Sequence, residues 1–206
     1  MELFNMKKKF LIITAGAVIL FGLCTVWNFQ RELRHPQLPV LGQVKPFSLT
    51  DSKGQPFYSQ QLENKVWIVD FFFTTCSDVC PMMSKHMASL SRSFELVPAV
   101  TLVSISVNPD YDSPEVLAKY AKKYEARRVG SATRNKNWYF LTGPYEKIKE
   151  ISVGTFKLGS VEEPIFHSTY LPLVDRHGLI RGFYDGTDQE AMNKLFKDVA
   201  ELLKER

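Results

Sequence analysis

The chain has 206 residues, 45% of them hydrophobic and 13% aromatic, which suits one ordered domain with an appendage and excludes an intrinsically disordered protein. The net charge of +4 is unevenly placed. Residues 1–35 hold Lys7, Lys8, Lys9, Arg31 and Arg34 against Glu2 and Glu32, leaving 21 of the 26 basic and 20 of the 22 acidic residues for positions 36–206. A domain of net charge about +1 lacks the basic footprint of a nucleic-acid binder.

Three lysines at 7–9 precede an uncharged run from Phe10 to Trp27. As a helix this run is about 27 Å long, close to the ~30 Å hydrocarbon core of a bilayer. It ends without a small-residue cleavage pattern, and a bulky Leu23 precedes Cys24, which argues against a cleaved signal peptide or a lipoprotein site. The expectation is a cytoplasmic segment at 1–9, one transmembrane helix at 10–29, a Pro-containing linker at 30–39 and a folded domain at 40–206. The lysines before the helix place that domain outside the inner membrane, in a periplasm-like compartment.

Beyond the linker, residues 47–57 read as two short strands around a turn at Ser52-Lys53-Gly54. Val66 to Phe73 is a continuous apolar run broken only by Asp70, the pattern of a strand buried on both faces. It runs into Thr74-Thr75-Cys76-Ser77-Asp78-Val79-Cys80-Pro81, after which Met82, Met83, Met87, Leu90 and Phe94 recur at helical spacing. Pro81 favours a first helical turn and places Cys80 at the helix cap. Ala99–Val107 is a second buried strand, and Ser113-Pro114-Glu115 starts a helix through Leu117, Tyr120 and Tyr124. Arg127, Arg128, Arg134 and Lys136, with no acid among residues 126–137, read as a solvated loop or as a docking surface for an acidic partner. A strand at 138–141 precedes a helix through Ile148 and Ile151. Strands at 169–174 and 179–184 flank an Asp175–Gly178 turn, and a last helix from about Asp188 buries Met192, Leu195, Phe196, Val199 and Leu202. The order β-β-β-α-β-α-β-α-β-β-α predicts one α/β domain with a mixed sheet.

Three chemistries fit two cysteines where a buried strand meets a helix. A structural disulfide would close a loop too small to stabilise much. Thiol–disulfide exchange is the second, although one residue more than the usual two separates the thiols. The third is a soft-metal site; two thiolates and one imidazole suit copper, and thiolate softness favours Cu(I). A helix N-terminus lowers thiol pKa values, whereas Asp78 between the cysteines opposes this. Of the four histidines, His35 lies in the linker and His177 in a turn. His86 is a helix-surface residue or an auxiliary ligand, and His167 precedes a strand.

The stretch Phe72–Pro81 resembles the signature of the Sco (SenC) family of copper-binding proteins that assist cytochrome c oxidase assembly. Three further stretches are similar: Val107–Glu115, Trp138–Gly143, and His167-Ser168 with Tyr170–Asp175. Ser77 departs from the proline often found there, and Met82-Met83 lies outside the pattern. The resemblance implies a thioredoxin-like fold in which Cys76, Cys80 and His167 bind one copper ion, Cu(I) or Cu(II). It implies delivery to a copper-accepting subunit of cytochrome c oxidase, with Cys76 and Cys80 also able to form a redox disulfide. The alternatives are a thiol–disulfide oxidoreductase that keeps the oxidase cysteines reduced, attacking through Cys76, and a peroxide-linked or redox-sensing role.

Overall fold

In a computed structural model, residues 16–27, 38–124, 137–159 and 168–205 are described. The chain divides into two units, Met1–Gln37 and Leu38–Arg206. In the first, residues 16–27 form a helix, α1. At twelve residues it is about 18 Å long, and among the described residues no helix is long and apolar enough to cross a membrane. The rest of the expected span, 10–15 and 28–29, lies outside the described residues.

The second unit is built on one eight-stranded mixed sheet in the order β1-β8-β7-β4-β5-β6-β2-β3. Its centre is β4 (Val66–Phe72) beside β5 (Val100–Ser106), paired in parallel and buried at every position. Helices cover both faces of such a pair, so the apolar runs need no polar alternation. On one face α2 (Cys80–Ser93), α3 (Pro114–Tyr124) and α5 (Gln189–Leu202) pack Met83, Met87, Leu117, Leu195 and Val199 over Ile68, Phe72 and Leu102. The opposite face is closed by Ile148, Ile151 and Phe156 over Trp67, Val69 and Phe71.

The remaining strands are β1 (Gly42–Gln43), β2 (Ser48–Asp51), β3 (Pro56–Tyr58), β6 (Trp138–Thr142), β7 (Tyr170–Val174) and β8 (Leu179–Asp185). The β2–β3 hairpin turns at Gly54, whose φ of +75° suits glycine. Asp188 caps α5, its carboxylate accepting from the Glu190 and Ala191 N–H groups.

Three sequence expectations are corrected. The helix after Thr142-Gly143-Pro144 is α4 (Tyr145–Lys149), which widens into a π-helical stretch over Glu150–Thr155, where Phe156 N–H reaches the Ile151 carbonyl. Phe196 is 44% exposed and stacks on Phe94 at 5.0 Å, outside the core stripe of α5. Cys80 is the first residue of α2 rather than its cap; Val79 takes that place in a helical conformation, so the turn begins one residue before the proline restriction would allow by itself.

Candidate metal centre

The sheet delivers the thiols. Strand β4 ends at Phe72, and residues 73–79 form the loop that carries the chain onto α2. This loop is held from below by Asp112, a fully buried carboxylate just beyond β5. Asp112 accepts hydrogen bonds from Thr74 N–H at 3.0 Å, from the Thr74 hydroxyl and from the Ser106 hydroxyl at 2.5 Å. Two residues later comes Cys76, so the carboxylate fixes the root of the cysteine loop. Position 112 carried no signal of this role in the sequence beyond being an acid after a strand.

Both Cys76 and Cys80 are free thiols in different surroundings; Cys76 is half-exposed and Cys80 is 1% exposed. Burial pushes the Cys76 thiol up, but hydrogen bonds from the Cys80 thiol and from the backbone N–H groups of Cys80, Asp78 and Val79 together outweigh it, and its pKa falls below the ordinary value. The Cys76 sulfur therefore faces the first turn of α2, where backbone donors are open to an anion. Asp78 acts on it through its own N–H, and its side chain is exposed to solvent. Cys80 is driven the other way. Burial pushes it up to about 12, the Phe73 backbone bond opposes this, and the neighbouring Cys76 and Asp70 add to the rise.

Asp70 itself interrupts the buried face of β4. Its carboxylate accepts from the Ser104 hydroxyl, which in turn accepts from Trp138 Nε1 at 2.8 Å. Burial raises its pKa to about 7. A lone acid in the middle of an apolar run was the legible signal for it. Between Asp70 and α2, Tyr120 shares a 2.8 Å hydrogen bond with Ser84 and packs on Phe72 at 5.1 Å.

Among the described residues no three His, Cys, Asp or Glu side chains converge on a metal position. The two thiols meet the donor chemistry of a soft cation and share a hydrogen bond, so they fit as two ligands of a soft metal ion such as copper. His167, the third expected ligand, lies outside the described residues, as does His35. His177 is exposed in the β7–β8 turn, as expected. His86 is half-buried on α2, its Nδ1 2.7 Å from the Gly186 carbonyl.

A family model described as SCO1/SenC matches residues 40–204. A SCO1/SenC family lipoprotein from Bacillus anthracis is 30% identical, covering 82% of this chain and all of its own, with a TM-score of 0.70. BsSco, described as a member of the Sco family of cytochrome c oxidase assembly proteins with a disulfide switch, is 27% identical over 83% of this chain and all of its own, with a TM-score of 0.67. Arabidopsis thaliana ScoI, solved with copper bound, is 22% identical over 77% of this chain and 98% of its own; its TM-score of 0.61 shows a shared fold.

Proposed function

The chain belongs to the SCO1/SenC family, and from that premise we propose that it is a membrane-anchored copper metallochaperone. Cys76, Cys80 and His167 hold one copper ion and pass it by ligand exchange to the dinuclear copper site of cytochrome c oxidase. The observation that carries this reading is the pair of neighbouring free thiols with opposed proton affinities where the loop after β4 meets the start of α2. Cys76 offers a thiolate readily, whereas Cys80 keeps its proton until a cation displaces it, so loading releases protons and is sensitive to redox state. The chain enters β7 from Ser168, which is buried and whose hydroxyl oxygen accepts from Tyr170 N–H at 3.1 Å. Strand β7 runs antiparallel to β4, so its first residues lie toward the end of β4 that carries the thiols. His167 precedes Ser168 in the sequence.

A second reading is favoured by the same pKa split. A half-exposed nucleophilic thiol beside a buried resolving one is the arrangement of a thiol–disulfide oxidoreductase, and BsSco carries a disulfide switch. In that role His167 only tunes the thiols. One measurement separates the two: Cu(I) affinity of the reduced chain, wild type against His167→Ala, beside its rate of reducing a model disulfide. The metallochaperone reading expects affinity to fall at least tenfold with little reductase activity. Unchanged affinity with rapid disulfide reduction would sink it.

Anchoring rests on 10–29 as a single span, with 1–9 cytoplasmic, 30–39 a linker and 40–206 facing the periplasm or outside. Its support is the apolar surface of α1, where Val18, Ile19, Leu20, Phe21, Leu23, Val26 and Trp27 are all exposed. The mass of the native N-terminus tests it; a chain that begins at Cys24 bearing lipid, as a lipoprotein would, overturns the span.

A further inference from the structure

Helix α2 carries a second pair of metal-competent side chains that the thiols do not use. Met82 and His86 are four residues apart, which sets their Cβ atoms about 5–6 Å apart on one helix face. Met83, Met87 and Met192 are buried, whereas Met82 is 38% exposed. Core packing therefore does not account for a thioether at this position.

The imidazole of His86 is oriented. A carbonyl oxygen only accepts, so the 2.7 Å bond to the Gly186 carbonyl requires the proton on Nδ1 and leaves the Nε2 lone pair bare in the neutral ring. Metal-binding imidazoles are held in this way, with the other ring nitrogen donating to a carbonyl or carboxylate. The carbonyl is itself fixed, because Gly186 N–H donates to the Thr169 carbonyl at 2.7 Å and a Cβ at 186 would lie 3.0 Å from that oxygen. Thioether and imidazole together are a neutral donor pair suited to Cu(I). At 1.5 Å per residue His86 stands about 9 Å along the helix from Cys80, with Met82 between them.

We propose that Met82 Sδ and His86 Nε2 form a second, weaker Cu(I) site on the outer face of α2, a staging point for copper moving to or from Cys76 and Cys80. This role rests on the reading of the chain as a copper carrier. The ion stays Cu(I) throughout, and each step exchanges one donor atom for another. Neither staging ligand has to lose a proton to bind, whereas the thiols release theirs on loading. Neutral donors hold the ion less tightly than two thiolates, so it moves inward when the thiols are reduced.

The test titrates the reduced full-length chain, in detergent and without oxygen, with Cu(I) against a chromogenic Cu(I) chelator. The wild type takes up two equivalents, the second weaker. Met82→Leu and His86→Gln each lower the second affinity at least tenfold and leave the first within twofold. His86→Gln keeps an N–H donor for the Gly186 carbonyl but loses the bare ring nitrogen, so an unchanged melting curve with a lost second equivalent separates ligation from a structural tie. A single equivalent, or a second one that Met82→Leu leaves unchanged, overturns the proposal. Cys76→Ser/Cys80→Ser distinguishes this site from the first: that chain loses the tight equivalent and keeps the weak one. A wild type with no tight equivalent but with the weak one present would defeat the carrier reading and leave the Met82–His86 site standing.

Discussion

At the scale of single residues, the site is a contrast between two chemically identical side chains. Cys76 lies where backbone N–H groups converge, and Cys80 lies under the sheet-facing side of α2 with Asp70 among its neighbours. Of these two thiols iodoacetamide at pH 7 is expected to modify Cys76 first, and Cys76→Ser should lower their summed rate at least tenfold, whereas Cys80→Ser should lower it far less; mass spectrometry of the peptide that carries both, separate from that of Cys24, reads the order. Equal rates for the two single variants would contradict the assignment. Asp70 makes a separate prediction. Its carboxyl ionises near 3.8 in the unfolded chain and near 7 in the folded one, so between these values the native state holds the extra proton. Raising the pH through that window therefore removes stability, with a slope of at most about 1.4 kcal/mol per pH unit. Denaturant midpoints of the copper-free chain should fall from pH 4 to pH 7, and Asp70→Asn should flatten the dependence. The presence of both cysteines and of Asp70 was plain in the sequence. Their opposed environments were not, because burial and N–H convergence belong to the folded loop.

At the scale of elements, legibility followed whether a segment's partner was written in its own pattern. β4 is apolar at every position but Asp70, β5 is a β-branched and apolar run with only small hydroxyl residues between, and α5 has both an Asp188 cap and a helical stripe, so each is readable alone. β1 is two residues, Gly42 and Gln43, that are strand only because β8 lies beside them at Ile180 and Leu179. The π-helical turn after α4 was equally silent, since a period near four cannot show where the helix widens. Phe196 lies at the edge of the stripe and stacks on the rim of the core at Phe94 while staying 44% exposed. Glycine 182 on β8 shows a constraint of the same kind. A Cβ there would lie 2.6 Å from the Tyr184 hydroxyl oxygen and 2.7 Å from its ring, because Tyr184 folds back to donate to Asp198 at 2.5 Å. Gly182→Ala should displace the ring and lose that bond, at a cost of about 2–3 kcal/mol in urea unfolding. A cost below about 0.5 kcal/mol would mean the ring has another position open to it.

At the scale of the whole domain, the chain order says little about the sheet order. The β2–β3 hairpin, early in sequence, closes the far edge beyond β6, while β1 takes the opposite edge beside β8. Both ends of the domain meet at Arg181, 6% exposed, whose guanidinium donates to the Leu38 and Pro39 carbonyls, to Asp175 at 2.7 Å and to Glu205 at 2.9 Å. This knot lies at the pole away from the thiols. The first residues of β8 neighbour the last of β7, and Val174 at the end of β7 pairs with Trp67 at the start of β4, whereas Cys76 follows the end of that strand. At about 3.3 Å per residue, the length of β4 alone separates the two ends by roughly 20 Å. Arg181→Met leaves Asp175 a buried carboxylate without its cation and two carbonyls without donors, so it should lower unfolding stability by about 3–5 kcal/mol. The folded fraction should nevertheless keep its Cu(I) affinity and its Cys76 alkylation rate within twofold, because no part of the cysteine loop, Asp112 or Asp70 rests on that cluster. A variant that lost copper affinity in proportion to stability would show the two poles to be one cooperative unit in function as well as in folding.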